Sequence, residues 1–284
     1  MSRTVVRVFS VLLSVLMLLA FTPEVSAAAS SSVFTQVALA APSDVLSHSN
    51  MQQIMTTMPI NEKNVVAGHM LSSRYAKIGY SRYFLPLNKA TNRLGSPIRL
   101  NSYAAVTPLS NSDDGLYISL YADYDTSVHY NWDLYGYFQW TGGCCNYTPD
   151  HIALAWGGGL QLVSSYAYGY YNHNILLGTP RIPTTLDDVT PGSGVDYRFP
   201  ESRRFCIPAY PRGCPILQAN WGYSLATIHE SRYHHTASNV VMKYVHTYSD
   251  TSVSVSFGLP ASASISLSTA DGNWQIADYV PVTF

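Results

Sequence analysis

Charge is the first thing this sequence lacks. Only 12% of its 284 residues are charged, and the formal net charge is −1; soluble domains carry about 25%. A chain so weakly charged has no field with which to gather nucleic acid or anionic lipid, so no nucleic-acid partner is expected. Cysteine is scarce as well. There are four, none of them in a C-x-x-C hook, which excludes a four-thiolate zinc module. Past residue 21 no apolar run approaches the roughly 18 residues of a spanning helix, so no stable membrane insertion of the remaining chain is expected. The Gly-rich run Gly157-Gly158-Gly159-Leu160 leads into strand-like residues, and a strand offers no helix N-terminus to a phosphate. These motifs predict no cofactor and no metal.

What is present begins with an address. Arg3 and Arg7 precede an unbroken apolar stretch over residues 8–21, and Val25-Ser26-Ala27 supplies small residues where a signal peptidase cuts. That layout predicts a secretory signal peptide over residues 1–27, with a second candidate cleavage site at residues 38–40. Removing it leaves a slightly acidic, secreted, extracellular chain whose solubility must come from Ser, Thr, Asn, Gln and the 22 tyrosines. Residues 28–64 read as a tether and one short helix. Ser43 or Asp44 caps it, Met51, Ile54, Met55 and Met58 recur at helical spacing, and Pro59 stops it. That methionine face is expected to dock on the main domain.

From residue 116 onward the period is two. Trp132, Leu134, Phe138 and Trp140 share one face, and Asp133, Tyr135, Tyr137 and Gln139 the other. Ile152, Leu154 and Trp156 follow suit, and residues 253–268 read as two short strands with serines outward. Hydrophobic on one face and hydroxyl on the other predicts half-buried antiparallel sheets, and strands this short at this spacing predict an antiparallel β-sandwich or jelly roll. Residues 178–196, with three prolines and little periodicity, read as a long loop within it. Residues 65–284 are therefore expected to form a single disulfide-linked β-sandwich domain, preceded by one short amphipathic helix.

Four cysteines in an exported chain predict two disulfides. A local bridge between Cys206 and Cys214, with seven residues between them, is easily drawn, but it would leave Cys144 to pair with its neighbour Cys145 in a strained eight-membered ring. Two crosslinks from Cys144 and Cys145 to Cys206 and Cys214 are the expected arrangement.

Chemistry-bearing motifs are thin. His229-Glu230, followed by His234 and His235, echoes a zinc-protease helix, but five residues advance a helix by 500° and leave His229 and His234 about 140° apart. The four residues make an acid-base or metal cluster only if a loop gathers them. Gly222-Tyr223-Ser224-Leu225-Ala226 echoes a hydrolase elbow, but too little chain follows Ser224 to complete that fold. Asp123, Asp125, Asp133, Asp150 and Glu201 are available for glycoside cleavage, and none sits in a motif. Asn146-Tyr147-Thr148 is a glycosylation sequon if the host is a eukaryote. No catalytic residue is assigned.

Tyrosine is the positive signal. Tyr166, Tyr168 and Tyr170 share one strand face, with His173 just beyond. Such a row stabilises a sheet as a cross-strand ladder, or, if exposed, stacks on sugar rings. The reading is a secreted, non-catalytic extracellular or cell-surface binding protein. Its expected partner is an extracellular polysaccharide or a cell-surface protein, with glycan as the expected ligand class and Tyr166, Tyr168, Tyr170 and His173 as the ligand-binding residues. The alternatives are an exported hydrolase on a jelly-roll scaffold and an outer-membrane β-barrel.

Overall fold

The computed structural model describes residues 37–38, 44–46, 48–56, 58–70, 75–91, 93–100, 114–125, 127–128, 131–142, 148–157, 159–172, 179–206, 214–230, 237–247, 254–257, 265–268 and 273–283. The chain divides into two compact units, Met1–Val33 and Phe34–Phe284. The described residues all belong to the second.

That unit opens with β1 (Val37–Ala38), β2 (Asp44–Leu46), helix α1 (His48–Met55) and helix α2 (Ile60–Met70). There follow β3 (Tyr75–Asn88), β4 (Arg93–Leu94), β5 (Ile98–Arg99), β6 (Gly115–Asp125), β7 (Asn131–Trp140), β8 (Pro149–Trp156) and β9 (Gln161–Tyr171). Next come β10 (Arg181–Ile182), β11 (Thr185–Thr190), β12 (Gly194–Pro200), β13 (Ser202–Arg204) and β14 (Ile216–His229). The last are β15 (Ala237–Thr247), β16 (Ser254–Phe257), β17 (Ile265–Ser268) and β18 (Asn273–Thr283).

The smaller main sheet runs β1-β18-β15-β8-β12-β11, and the larger runs β10-β9-β14-β7-β6-β3-β2, with β4, β5 and β13 on its flanks. Among the described strands every pairing is antiparallel except β1 with β18. The two sheets are open and pack as a sandwich, so the described strands do not make the closed barrel that an outer-membrane protein would need.

Between the sheets lies the core that the period-two pattern predicts. Trp132, Leu134, Phe138 and Trp140 of β7 meet Ile152, Leu154 and Trp156 of β8 and Val240, Met242 and Tyr244 of β15. The sheets pack closely at Gly136, where an added Cβ would sit 3.1 Å from the Met242 sulfur and 3.2 Å from Leu154. Ser224, the serine of the elbow-like motif, faces this core opposite Gly136 and Ala167, fully buried. It cannot meet a substrate there.

The outer face of the larger sheet departs from expectation. Its polar and aromatic residues were expected to face water, yet Tyr80, Tyr121, Tyr135 and Tyr137 are buried. Helix α1 lays Met51, Ile54 and Met55 on them, joined by Met58 and by Val66 of α2. Each such side chain contributes roughly 1.5–3 kcal/mol by leaving water. The methionine face therefore docks on the domain.

Helix α2 is a second helix where one was expected. It starts directly after Pro59, whose carbonyl accepts from the Lys63 amide at 2.9 Å, the i→i−4 bond of a first turn. Residues 178–196 are likewise not one loop. They hold β10, β11 and the start of β12, and β11 is exposed along its whole length. An edge strand wetted on both faces has no hydrophobic alternation to reveal it.

The expected double crosslink is corrected as well. Cys206 is bonded to Cys214, with the Cα atoms 4.3 Å apart. The register explains it. Ser202, Arg203 and Arg204 of β13 pair with Gln218, Leu217 and Ile216 of β14, and the Phe205 amide donates to the Pro215 carbonyl. Continuing that ladder sets Cys206 opposite Cys214. Cys144 and Cys145 lie outside the described residues.

Candidate functional site

Strand β9 crosses beside β14 in register Tyr170 to Trp221, Tyr168 to Tyr223 and Tyr166 to Leu225. Period two sends all of these to the outer face, where Leu225 is buried in the helix-covered cluster and Tyr166, Trp221 and Tyr223 pack against its edge, only half covered. The Tyr170 and Trp221 rings stack at 4.2 Å and 19°. Tyr168 packs on Tyr223 at 5.7 Å, and Tyr166 meets Tyr168 at 5.2 Å and Tyr223 at 6.3 Å. Arg181 of β10 closes the edge, its guanidinium 4.7 Å above Tyr168 and 6.0 Å from Tyr170. All five residues are half-buried. Burial pushes the Tyr166 and Tyr223 phenols up, helped by neighbouring tyrosines, so both stay neutral donors and acceptors across the biological pH range.

Tyr166, Tyr168 and Tyr170 thus come together as predicted by strand periodicity, and they are both ladder and surface. Trp221, Tyr223 and Arg181 join them from two other strands. His173 lies outside the described residues. So do His234 and His235, which leaves His229 and Glu230. His229 ends β14 with Nδ1 2.7 Å from Asn131 Oδ1 across the ladder, and Glu230 is buried.

Under the helices the same face carries a sealed polar group. Glu62 of α2 pairs with Arg82 at 2.9 Å and accepts from Ser119 Oγ at 2.5 Å and from the Tyr121 hydroxyl. Burial alone would lower the Arg82 pKa, but the Glu62 charge and nearby phenols raise it beyond its usual range. Next to this group Asp123 and Asp133 stand directly opposite each other on β6 and β7. Asp133 accepts from Thr227 Oγ1 at 2.7 Å. Burial, then the Asp133 charge, pushes the Asp123 carboxyl well above the usual carboxylate range. Two carboxyls in such proximity resemble an acid-base pair, but Asp123 is 0% exposed and offers no approach to a glycosidic bond.

Among the described residues, two three-residue groups have the donor set to hold a metal: Asp150, Glu201 and His246, and His151, Asp187 and Asp196. The first is walled in at one end of the core. His246 Nδ1 lies 3.2 Å from Asp150 Oδ1 and also contacts Glu201. Asp150 further accepts from the Thr247 amide at 3.1 Å and from the Tyr244 hydroxyl, which in turn accepts from Trp140 Nε1 at 3.1 Å. Burial would lower the imidazole pKa, but the flanking carboxylates raise it to about 10. Burial and the Asp150 charge raise Glu201. An imidazolium between two carboxyls, with these donors around them, is a closed structural network. The second group lies on the outer face of the smaller sheet and is taken up below. Sequence reasoning missed both, because their members come from separate strands and no local spacing joins them.

No family model matches the sequence, and no curated protein matches it. Among solved structures, one described as "AvmM Catalyzes Macrocyclization in Alchivemycin A Biosynthesis" is similar over 51% of this chain and 79% of that chain. The identity is 7% and the TM-score 0.19. At that score the similarity carries no weight for fold or function.

Proposed function

We propose that this chain is an exported carbohydrate-binding protein whose ligand lies along the outer faces of β9 and β14. The observation that carries the reading is the half-exposed row Tyr166, Tyr168, Tyr170, Trp221 and Tyr223, edged by Arg181. Aromatic faces stack on the C–H faces of pyranose rings, while the phenol hydroxyls and the guanidinium supply polar contacts at the ring edges. Antiparallel strands at a spacing of about 4.8 Å present such rings at regular intervals, which suits a repeating polymer better than one compact small molecule. A rigid sheet also orders the rings in advance, so little entropy is lost on binding.

A polysaccharide panel read by affinity electrophoresis tests this, with wild type compared against Tyr170→Ala and Trp221→Ala. Retardation by at least one polymer, lost in both variants, supports the reading. Equal mobility of wild type and variants on every polymer sinks it, and release of new reducing ends by the wild type would replace binding with hydrolysis. Recovery from the culture medium of a chain starting near residue 28 would support export.

A further inference from the structure

On the outer face of the smaller sheet, three adjacent strands bring one imidazole and two carboxylates together. His151 is on β8, Asp196 on β12 and Asp187 on β11. His151 Nδ1 lies 2.8 Å from Asp196 Oδ2 and 3.9 Å from Asp187 Oδ2. His151 and Asp196 are buried, while the Asp187 side chain is 29% exposed. The register of β11 on β12 slips between Leu186 and Asp188, which makes Asp187 the extra residue of a β-bulge. A bulge re-aims a side chain that a regular ladder would place elsewhere. In an unbroken register Asp187 would stand directly opposite Asp196.

Hydrogen bonding leaves this group incomplete. His151 satisfies one oxygen of Asp196, and the other, Oδ1, is buried with no hydrogen-bond partner among the described residues. Arg198 takes the far oxygen of Asp187 at 3.4 Å and leaves Oδ2 turned toward the imidazole. Asp188 adds a further negative charge alongside. Buried carboxylate oxygens are paired or coordinate a metal.

We propose that His151, Asp187 and Asp196 form a divalent metal site of the zinc class, bound through one imidazole nitrogen and two carboxylate oxygens. Zinc takes histidine nitrogen at about 2.0–2.1 Å and carboxylate oxygen at about 2.0–2.2 Å, so ligand atoms around a tetrahedral ion lie about 3.4 Å apart. The separations of 2.8 and 3.9 Å bracket that value. The ion needs only small side-chain shifts to seat, and Asp187 provides the approach from solvent. Three protein ligands leave the fourth position to water or to an outside group. The ion would also tie β11, through Asp187, to β8 and β12.

The test titrates Zn2+ into tag-free, chelator-treated full chain by calorimetry, alongside Asp187→Asn. Asp187 is partly exposed, so that variant keeps the fold, which circular dichroism checks. A His246→Gln variant separates this group from the Asp150, Glu201 and His246 network. One equivalent of Zn2+ per chain is expected, weakened at least tenfold by Asp187→Asn and unchanged by His246→Gln. Cobalt in place of zinc should give the visible absorption of a four-coordinate ion, lost in Asp187→Asn. The proposal is overturned if no stoichiometric binding occurs, or if Asp187→Asn binds as tightly as wild type.

Discussion

One face of the larger sheet carries two regions built from the same residue type. At the β3-β6-β7 end, tyrosines lie under α1 and α2, sealed by methionines and tied to the Glu62–Arg82 pair. At the β14-β9 end, tyrosines and Trp221 stand half-bare with Arg181 over them. Tyr137, buried, and Trp221, half-buried, mark the border with ring centroids 6.3 Å apart. Chemically alike rings thus serve as core in one half and as surface in the other. The difference lies in what covers them, which teaches that a tyrosine row says little about role until its far side is known.

The comparison breaks hardest at Glu62. Replacing it with alanine leaves Arg82 as a buried, uncompensated charge, a loss of about 3–5 kcal/mol, measured by urea denaturation. Met55→Ala opens a cavity beneath α1 and is expected to cost about 2–5 kcal/mol. It should also make Tyr121 reactive to nitration, which mass spectrometry reads. If neither variant changes stability, the helices do not seal that half.

The sealed network between the sheets gives a third, pH-linked effect. His246 binds its proton more tightly folded than unfolded, so its contribution is fully present below pH 6.5 and lost as pH rises toward about 10. Glu201, also raised, moves stability in the same direction. Thermal midpoints should fall between pH 6.5 and 10, and His246→Gln, destabilised at pH 7, should show a flatter profile. The smallest structural effect belongs to the open half. Tyr170→Ala removes one stacked partner and should cost about 1 kcal/mol, while abolishing the polysaccharide retardation proposed above. A loss as large as that of Met55→Ala would make the open rings core like the others.

Much of the fold was legible because burial obeys short periods. The inward residues of β7 and β8 follow from alternation alone, and Met51, Ile54, Met55 and Met58 from helical spacing. Helix α2 was not legible, since Ile60, Val65 and Val66 do not build one apolar stripe. The Cys206–Cys214 bond was only half legible, since spacing allows a local bridge across seven residues but the β13–β14 register decides for it. Of the candidate surface, the period-two tyrosines of β9 were visible, while Trp221, Tyr223 and Arg181 became their neighbours only once strands distant in sequence paired.

By itself, the sequence determined which side of β7 and β8 is apolar, that the chain is all-β with a helical approach, and which of its tyrosines share a strand face, while the long strand β3 went unread. These are local properties, settled by side chains two or four residues apart. Tertiary structure alone decided which tyrosines are covered, which histidine meets which carboxylate, and how Cys206 pairs. Those outcomes depend on strand register, where a shift of one residue sends a side chain to the opposite face.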